Sequence, residues 1–203
     1  KQDLDEIQSL YRKSSINQLI IGGVFFLCIW INIDEVFLLL PEKFQVGKWV
    51  VFYIGLSHLF NMATGLNGEI IINSKYYRYD LYTSVFLVFV TFATNFVLIQ
   101  KYEINGAAMA TAISIILFNL IRLILIKAKM KMHPFSLKTI YTVLILVIIY
   151  FSLDFLPNSS FVFVDIIWKS LAILMIFIPA MLYLNLSEDI TLFIKELKAK
   201  FLS

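Results

Sequence analysis

His58, Asn61, Gly65, Gly68, Glu69 and Asn73 all lie in one apolar stretch, residues 48–73. At about 100° per residue they fall within roughly 140° of arc, with Thr64 beside that arc and Asn67 on the opposite side. An ionisable side chain at membrane depth costs at least about 2.5–3.5 kcal/mol on insertion scales, so each such group calls for a partner or a task. Such a stripe either faces a water-filled cavity or packs against another polar helix. Glu69 has two readings, a cation or proton role in a cavity, or a plain place at the interface or in helix packing. His58 reads as a neutral hydrogen-bonded histidine or as a substrate contact. The glycines suit close helix approach or local unwinding better than phosphate binding.

Other polar groups interrupt the apolar runs. Arg122 either snorkels to the nearby membrane surface along its apolar stem or faces inward toward an anion. Asn32, Asp34 and Glu35 either mark the end of a span near Ile31 or line an outward vestibule. Asn95 and Asn119 suit hydrogen bonds between helices. Asp165 and Lys169, four residues apart, can pair on one helix face. Pro179 implies a kink and no chemistry. No phosphate-binding glycine loop and no HExxH pattern occurs, and His58 and His133 sit on different elements. Neither catalysis nor a cofactor is expected.

The elements that carry these residues are set by composition. Of 203 residues, 60% are hydrophobic and only 15% charged, with a mean hydropathy of +0.84. A soluble domain averages about 45–50% apolar and 25% charged. So oily a chain with a net charge of +3 does not suggest nucleic acid. Cys28 is the sole cysteine, which rules out an internal disulfide framework. The expected fold is an all-α integral membrane protein. A crossing takes about 20 apolar residues, and six stretches qualify, at 17–40, 48–73, 81–100, 105–127, 138–156 and about 166–186. Gly106, Ala107, Ala108, Ala110, Thr111, Ala112 and Ser114 open the fourth and permit a tight crossing.

The expected organisation is an interfacial helix over 1–16, four helices over 17–127, and a basic cytoplasmic loop over 128–137. A final helix pair over 138–186 and an amphipathic tail over 187–203 complete it. With six crossings both ends share one side. That side holds Lys1, Arg12, Lys13, Lys75, Arg78, Lys127, Lys129, Lys131, Lys138, Lys195, Lys198 and Lys200, with Arg122 just inside; the other holds Lys43, Lys48 and Lys101, with Lys169 at its edge. The excess places both ends in the cytoplasm. The chain begins at Lys1 without methionine or signal peptide, which leaves open that it is a piece of a longer protein.

The order SSINQLIIGG (14–23), GKWVVFYIG (47–55), HLFNMATGLNGEII (58–71), SKYYRYD (74–80) and YEINGAAMATAIS (102–114) resembles the second half of polysaccharide and O-antigen flippases of the multidrug/oligosaccharidyl-lipid/polysaccharide exporter superfamily. The most specific piece is a short outside loop of the form YGxxGAAxAT, here with Glu103 where glycine is common. The likeness spans roughly 14–135. It implies helices nine to fourteen of a two-lobed, fourteen-helix transporter in the cytoplasmic membrane. It further implies alternating access and a lipid-linked glycan as substrate, with membrane lipid and a missing N-terminal lobe as partners. The substrate-contact candidates it leaves on this chain are His58, Asn61, Glu69 and Arg122. A stand-alone six-helix carrier or channel would need an internal duplication, and 17–100 and 105–186 show no convincing repeat. A non-catalytic assembly subunit or membrane enzyme is the remaining alternative, and no clustered acid–base set favours an enzyme.

Overall fold

A computed structural model describes residues 2–154 and 161–201, and every regular element in them is helical. In chain order these are α1 (Gln2–Ile31), α2 (Ile33–Leu38), a 3-10 turn (Glu42–Gly47), α3 (Lys48–Ala63), α4 (Asn67–Ile72), α5 (Tyr77–Met130), α6 (Leu137–Asp154), α7 (Val162–Tyr183) and α8 (Glu188–Phe201). Three helices, α1, α5 and α7, are long and apolar enough to cross a membrane, and α6 is a shorter apolar helix. The chain is an all-helical, membrane-embedded protein. Lys1, the LPNSS stretch expected to end the fifth span, and the side chains of Lys195, Leu197 and Lys198 lie outside the described residues.

α1 is the central strut. The segment expected as a separate interfacial helix is continuous with the first span, so a single helix runs from Gln2 to Ile31. Gly22 and Gly23 let it lie between two neighbours at once. A Cβ on Gly22 would meet Met62 Sδ of α3 at 2.5 Å, and one on Gly23 would meet Leu146 Cδ1 of α6 at 2.4 Å. On the α6–α7 side, Ile16, Ile20 and Leu27 pack with Leu146, Ile149, Ile173, Phe177 and Met181. α1 stops at Asn32, whose Nδ2 donates to Cys28 O (2.8 Å), a carbonyl the ending helix leaves without its usual partner.

α5 is a hairpin of two limbs, 77–102 and 104–130. Glu103 breaks the helical backbone with φ 50° and ψ −125°. Thr91 Oγ1 donates to Ser114 Oγ at 2.8 Å, which 23 residues of straight helix would hold about 34 Å apart. Gly106 makes the reversal possible, because a Cβ there would stand 2.0 Å from Leu98 O. The small residues opening the second limb therefore serve the close crossing that their type suggests.

Chain links gather at two ends of the bundle. At one, Gln8 and Arg12 of α1 bind the 131–136 segment, with Gln8 Nε2 donating to His133 O (2.7 Å) and Arg12 Nη2 to His133 Nε2 (3.0 Å). Asn17 of α1 joins Ser187 and Asp189 at the start of α8 there. At the other, α2 meets α7, and Trp30 of α1 packs at a tilt against Trp49 of α3 beside the hairpin tip.

Candidate functional site: a broken helix and its polar supports

The stretch expected as one helix over 48–73 is two, α3 and α4, separated by Thr64, Gly65 and Leu66. Gly65 has φ +60°, a left-handed conformation that glycine adopts without the cost a Cβ brings. Backbone groups freed by such a break need partners inside a membrane protein. Ser15 of α1, fully buried, donates to Ala63 O (2.6 Å). Thr64 N reaches Phe60 O and Asn61 O (3.1 Å each), and Thr64 Oγ1 lies 2.7 Å from Asn61 O.

Asn119, on the second limb of α5, ties both halves of the break together. Its Oδ1 accepts from Asn67 Nδ2 (2.9 Å) and lies 3.1 Å from Thr64 Oγ1, while its own Nδ2 donates to Ile115 O (2.9 Å). Thr64, Asn67 and Asn119 are all buried. Asn67 lies opposite the stripe, as periodicity expects: His58, Asn61 and Glu69 are exposed, and Asn67 is buried, where its bond to Asn119 makes it a structural residue. Asn119 is the interhelical link its type suggests, and Asn95 instead bonds Thr91 O on its own helix.

The four candidate residues do not converge on one pocket. His58 and Asn61 on α3 and Glu69 on α4 are exposed on the bundle surface, and none of their side chains bonds another described residue. Arg122 is turned inward. Its Nε and Nη2 both approach Asp80 Oδ1 at 2.8 Å, with side chains 16% and 15% exposed, and its guanidinium sits 3.8 Å from the Phe118 ring centroid. The anion facing Arg122 is thus the protein's own carboxylate, and the pair fastens the two limbs of α5 near their open end. Gly68 leaves room for the guanidinium, since a Cβ there would meet Arg122 Nη1 at 2.8 Å. That contact brings Arg122 beside the residue preceding Glu69.

A second polar cluster holds the opposite end. The first span ends at Ile31, Asp34 is exposed and pairs with Lys48 (2.5 Å), and Glu35 turns inward to the buried Lys169 of α7. Asp165, also buried, accepts from Trp168 Nε1 at 3.2 Å. Asn32 Nδ2 additionally donates to Ser170 Oγ (3.1 Å), joining α1 to α7.

Sequence reasoning missed Asp80, Ser15 and the Glu35–Lys169 pair, and it placed Thr64 beside the polar arc without seeing its part in the break. The Gly65 and Asn67-Gly68 positions in ATGLNGE carried a signal for the break, since glycine and Asn-Gly punctuate helices. No protein-family model matches this chain, and neither a curated protein nor a solved structure matches it.

Proposed function

We propose that this chain is part of a membrane transporter that moves lipid-linked oligosaccharide or polysaccharide repeat units across the cytoplasmic membrane by alternating access. In this reading α1, α3 with α4, the two limbs of α5, α6 and α7 make six crossings, with both chain ends cytoplasmic. Its partners are the glycan lipid, the surrounding lipid and an N-terminal lobe. It performs no catalysis.

The observation that carries the reading is the exposure of His58, Asn61 and Glu69 on either side of a supported helix break. Polar side chains on the outside of an apolar bundle are costly against lipid, and favourable against a hydrated cavity or a second polar lobe. Discontinuous helices are a recurrent way for transporters to place such groups beside a substrate. Glu103 lends support to the flippase likeness. Its backbone takes a conformation that favours glycine, at the position where the resembling motif commonly has glycine.

The test is glycan export by the complete protein in cells. Glu69→Gln removes the charge at nearly constant shape and is expected to cut export at least about tenfold at normal abundance. His58→Ala and Asn61→Ala are expected to cost about two- to fivefold each, the scale of one neutral hydrogen bond. Phe92→Leu, on an exposed apolar face of α5, is the control and should export normally. Export at the normal rate by Glu69→Gln removes Glu69 from the site.

A further inference from the structure

At the basic end of the bundle, α1 and the starts of α6 and α8 border a cavity of about 200 Å³. Its lining carries both signs of charge, Arg12, Lys13 and Lys138 against Glu188 and Asp189. A larger apolar groove of about 550 Å³ follows α6 and meets the cavity at Ser136, which lines both. We infer that the two together hold one phospholipid of the ethanolamine class, with phosphate and ammonium in the cavity and an acyl chain in the groove. The inference needs only a membrane-embedded bundle, so it stands or falls apart from the transport reading.

The first support is the order of the two surfaces. Leu137, Ile140 and Leu144 line the groove, fall at helical spacing on one face of α6, and are exposed. From Leu137 to Leu144 that face runs about 10 Å along the helix. The groove thus starts beside the charged cavity and continues along an apolar helix, the order in which a lipid presents headgroup and chain. Basic pockets between helices at a membrane surface are recurrent headgroup sites.

The second support is that the charged groups are accessible and only loosely spent on one another. The side chains of Lys13, Lys138 and Glu188 are all solvent-accessible, and the two ammonium groups share Glu188 at 3.7 and 4.0 Å. Those separations exceed hydrogen-bond length, so neither lysine spends a donor on Glu188, and its oxygens can take an ammonium. Arg12 Nη2 donates to His133 Nε2 (3.0 Å), and Asp189 Oδ2 accepts from Asn17 Nδ2 (2.8 Å). Each of these bonds steadies a charged group and uses only part of its hydrogen-bonding capacity.

The mixed charge selects the headgroup. Three cations and two carboxylates suit a ligand that is itself a zwitterion. Its phosphate takes the cations, and its primary ammonium donates to the carboxylates in charge-assisted bonds. A choline headgroup has the same net charge and no N–H to give. Phosphatidylglycerol and polyprenyl phosphates bring negative charge alone, which sets an anion against Glu188 and Asp189.

The test uses the full chain, purified in detergent and stripped of lipid, with bound lipid counted by native mass spectrometry. Phosphatidylethanolamine, phosphatidylcholine, phosphatidylglycerol and a polyprenyl phosphate are titrated separately. One saturable phosphatidylethanolamine per chain is expected, at least about fivefold tighter than each of the others. Glu188→Gln is expected to abolish the preference over phosphatidylcholine, and Lys138→Gln to weaken both lipids about threefold. Lys43→Gln, at the opposite end, should change nothing. Both cavity substitutions fall on accessible side chains, so a lost preference is not a lost fold. Equal binding of the ethanolamine and choline lipids overturns the assignment, as does tighter binding of either anionic lipid. Absence of a saturable site overturns it, and so does a preference that survives Glu188→Gln. Glycerophosphoethanolamine, the headgroup without chains, should fail to displace the lipid at equal concentration, and displacement would overturn the role of the groove.

Discussion

At the residue scale, Asn119 Oδ1 accepts from Asn67 beyond a helix break and lies beside Thr64 Oγ1, whose nearer acceptor is Asn61 O, and Ser15 serves the carbonyl at which α3 ends. These bonds replace the helical ladder that Gly65 interrupts. Removing Asn119 therefore leaves Asn67 Nδ2 without its acceptor in a buried setting and opens a void beside Thr64, while removing Asn67 deletes only one donor. Bonds between helices in membranes average about 0.6 kcal/mol and reach about 1.7. Asn119→Ala is expected to destabilise the chain by about 1–2 kcal/mol and Asn67→Ala by about half as much, read by denaturant or thermal unfolding in detergent. A silent Asn67→Ala would mean that its bond to Asn119 adds no net stability to the break.

At the scale of elements, the α5 hairpin depends on two positions with opposite economies. Gly106 has no room for a side chain, because the atom it would strike is backbone, Leu98 O, which cannot swing aside. Gly106→Val is expected to abolish the folded hairpin, seen as loss of the monodisperse species on size-exclusion chromatography. Glu103 is strained by about 1–3 kcal/mol, and glycine gives back about 0.5–1 kcal/mol in chain entropy. Glu103→Gly is thus expected to raise stability by about 1 kcal/mol, read by thermal unfolding in detergent. A stability loss in that variant would show that the Glu103 side chain itself holds the turn.

The same hairpin shows what the sequence made legible. Small residues over 106–114 and the polar YEIN announce a tight reversal, and the close packing of Gly106 and Ser114 on the first limb agrees. The division of faces was legible: His58, Asn61 and Glu69 share the exposed face and Asn67 lies buried opposite them, on both sides of Gly65. Periodicity carried no sign of the break itself, which only the glycine and Asn-Gly positions signal. The partners Asp80–Arg122 and Glu35–Lys169 are 42 and 134 residues apart, where spacing rules for one helix are silent. Exposure is likewise invisible from sequence. His58, Asn61 and Glu69 look like interior groups by their cost in lipid, yet the bundle turns them outward.

At the scale of the whole molecule, the two bundle ends carry different chemistry, and the difference gives the charge rule a direction to test. One end gathers Arg12, Lys13, Lys138 and His133 around the start of α8, and the other gathers the 3-10 turn, Trp49 and Glu103. The basic end belongs on the cytoplasmic side if lysine and arginine excess governs insertion. Single cysteines in a Cys28→Ser background test this in intact cells with an impermeant thiol reagent. Glu42→Cys and Glu103→Cys, both at exposed sites, should label from outside, whereas Lys75→Cys and Lys131→Cys, also at exposed sites, should label only after the membrane is opened. Full reversal would keep the bundle and discard the charge argument for its direction. A split between Glu42 and Glu103 is more damaging. Those two sites share one end because the chain returns through α3 and α4 and goes out again through the first limb of α5. Labelling from opposite sides would mean that α3 and α4, or that limb, does not cross. The six-crossing reading and the placement of Glu69 within the membrane would then fall together.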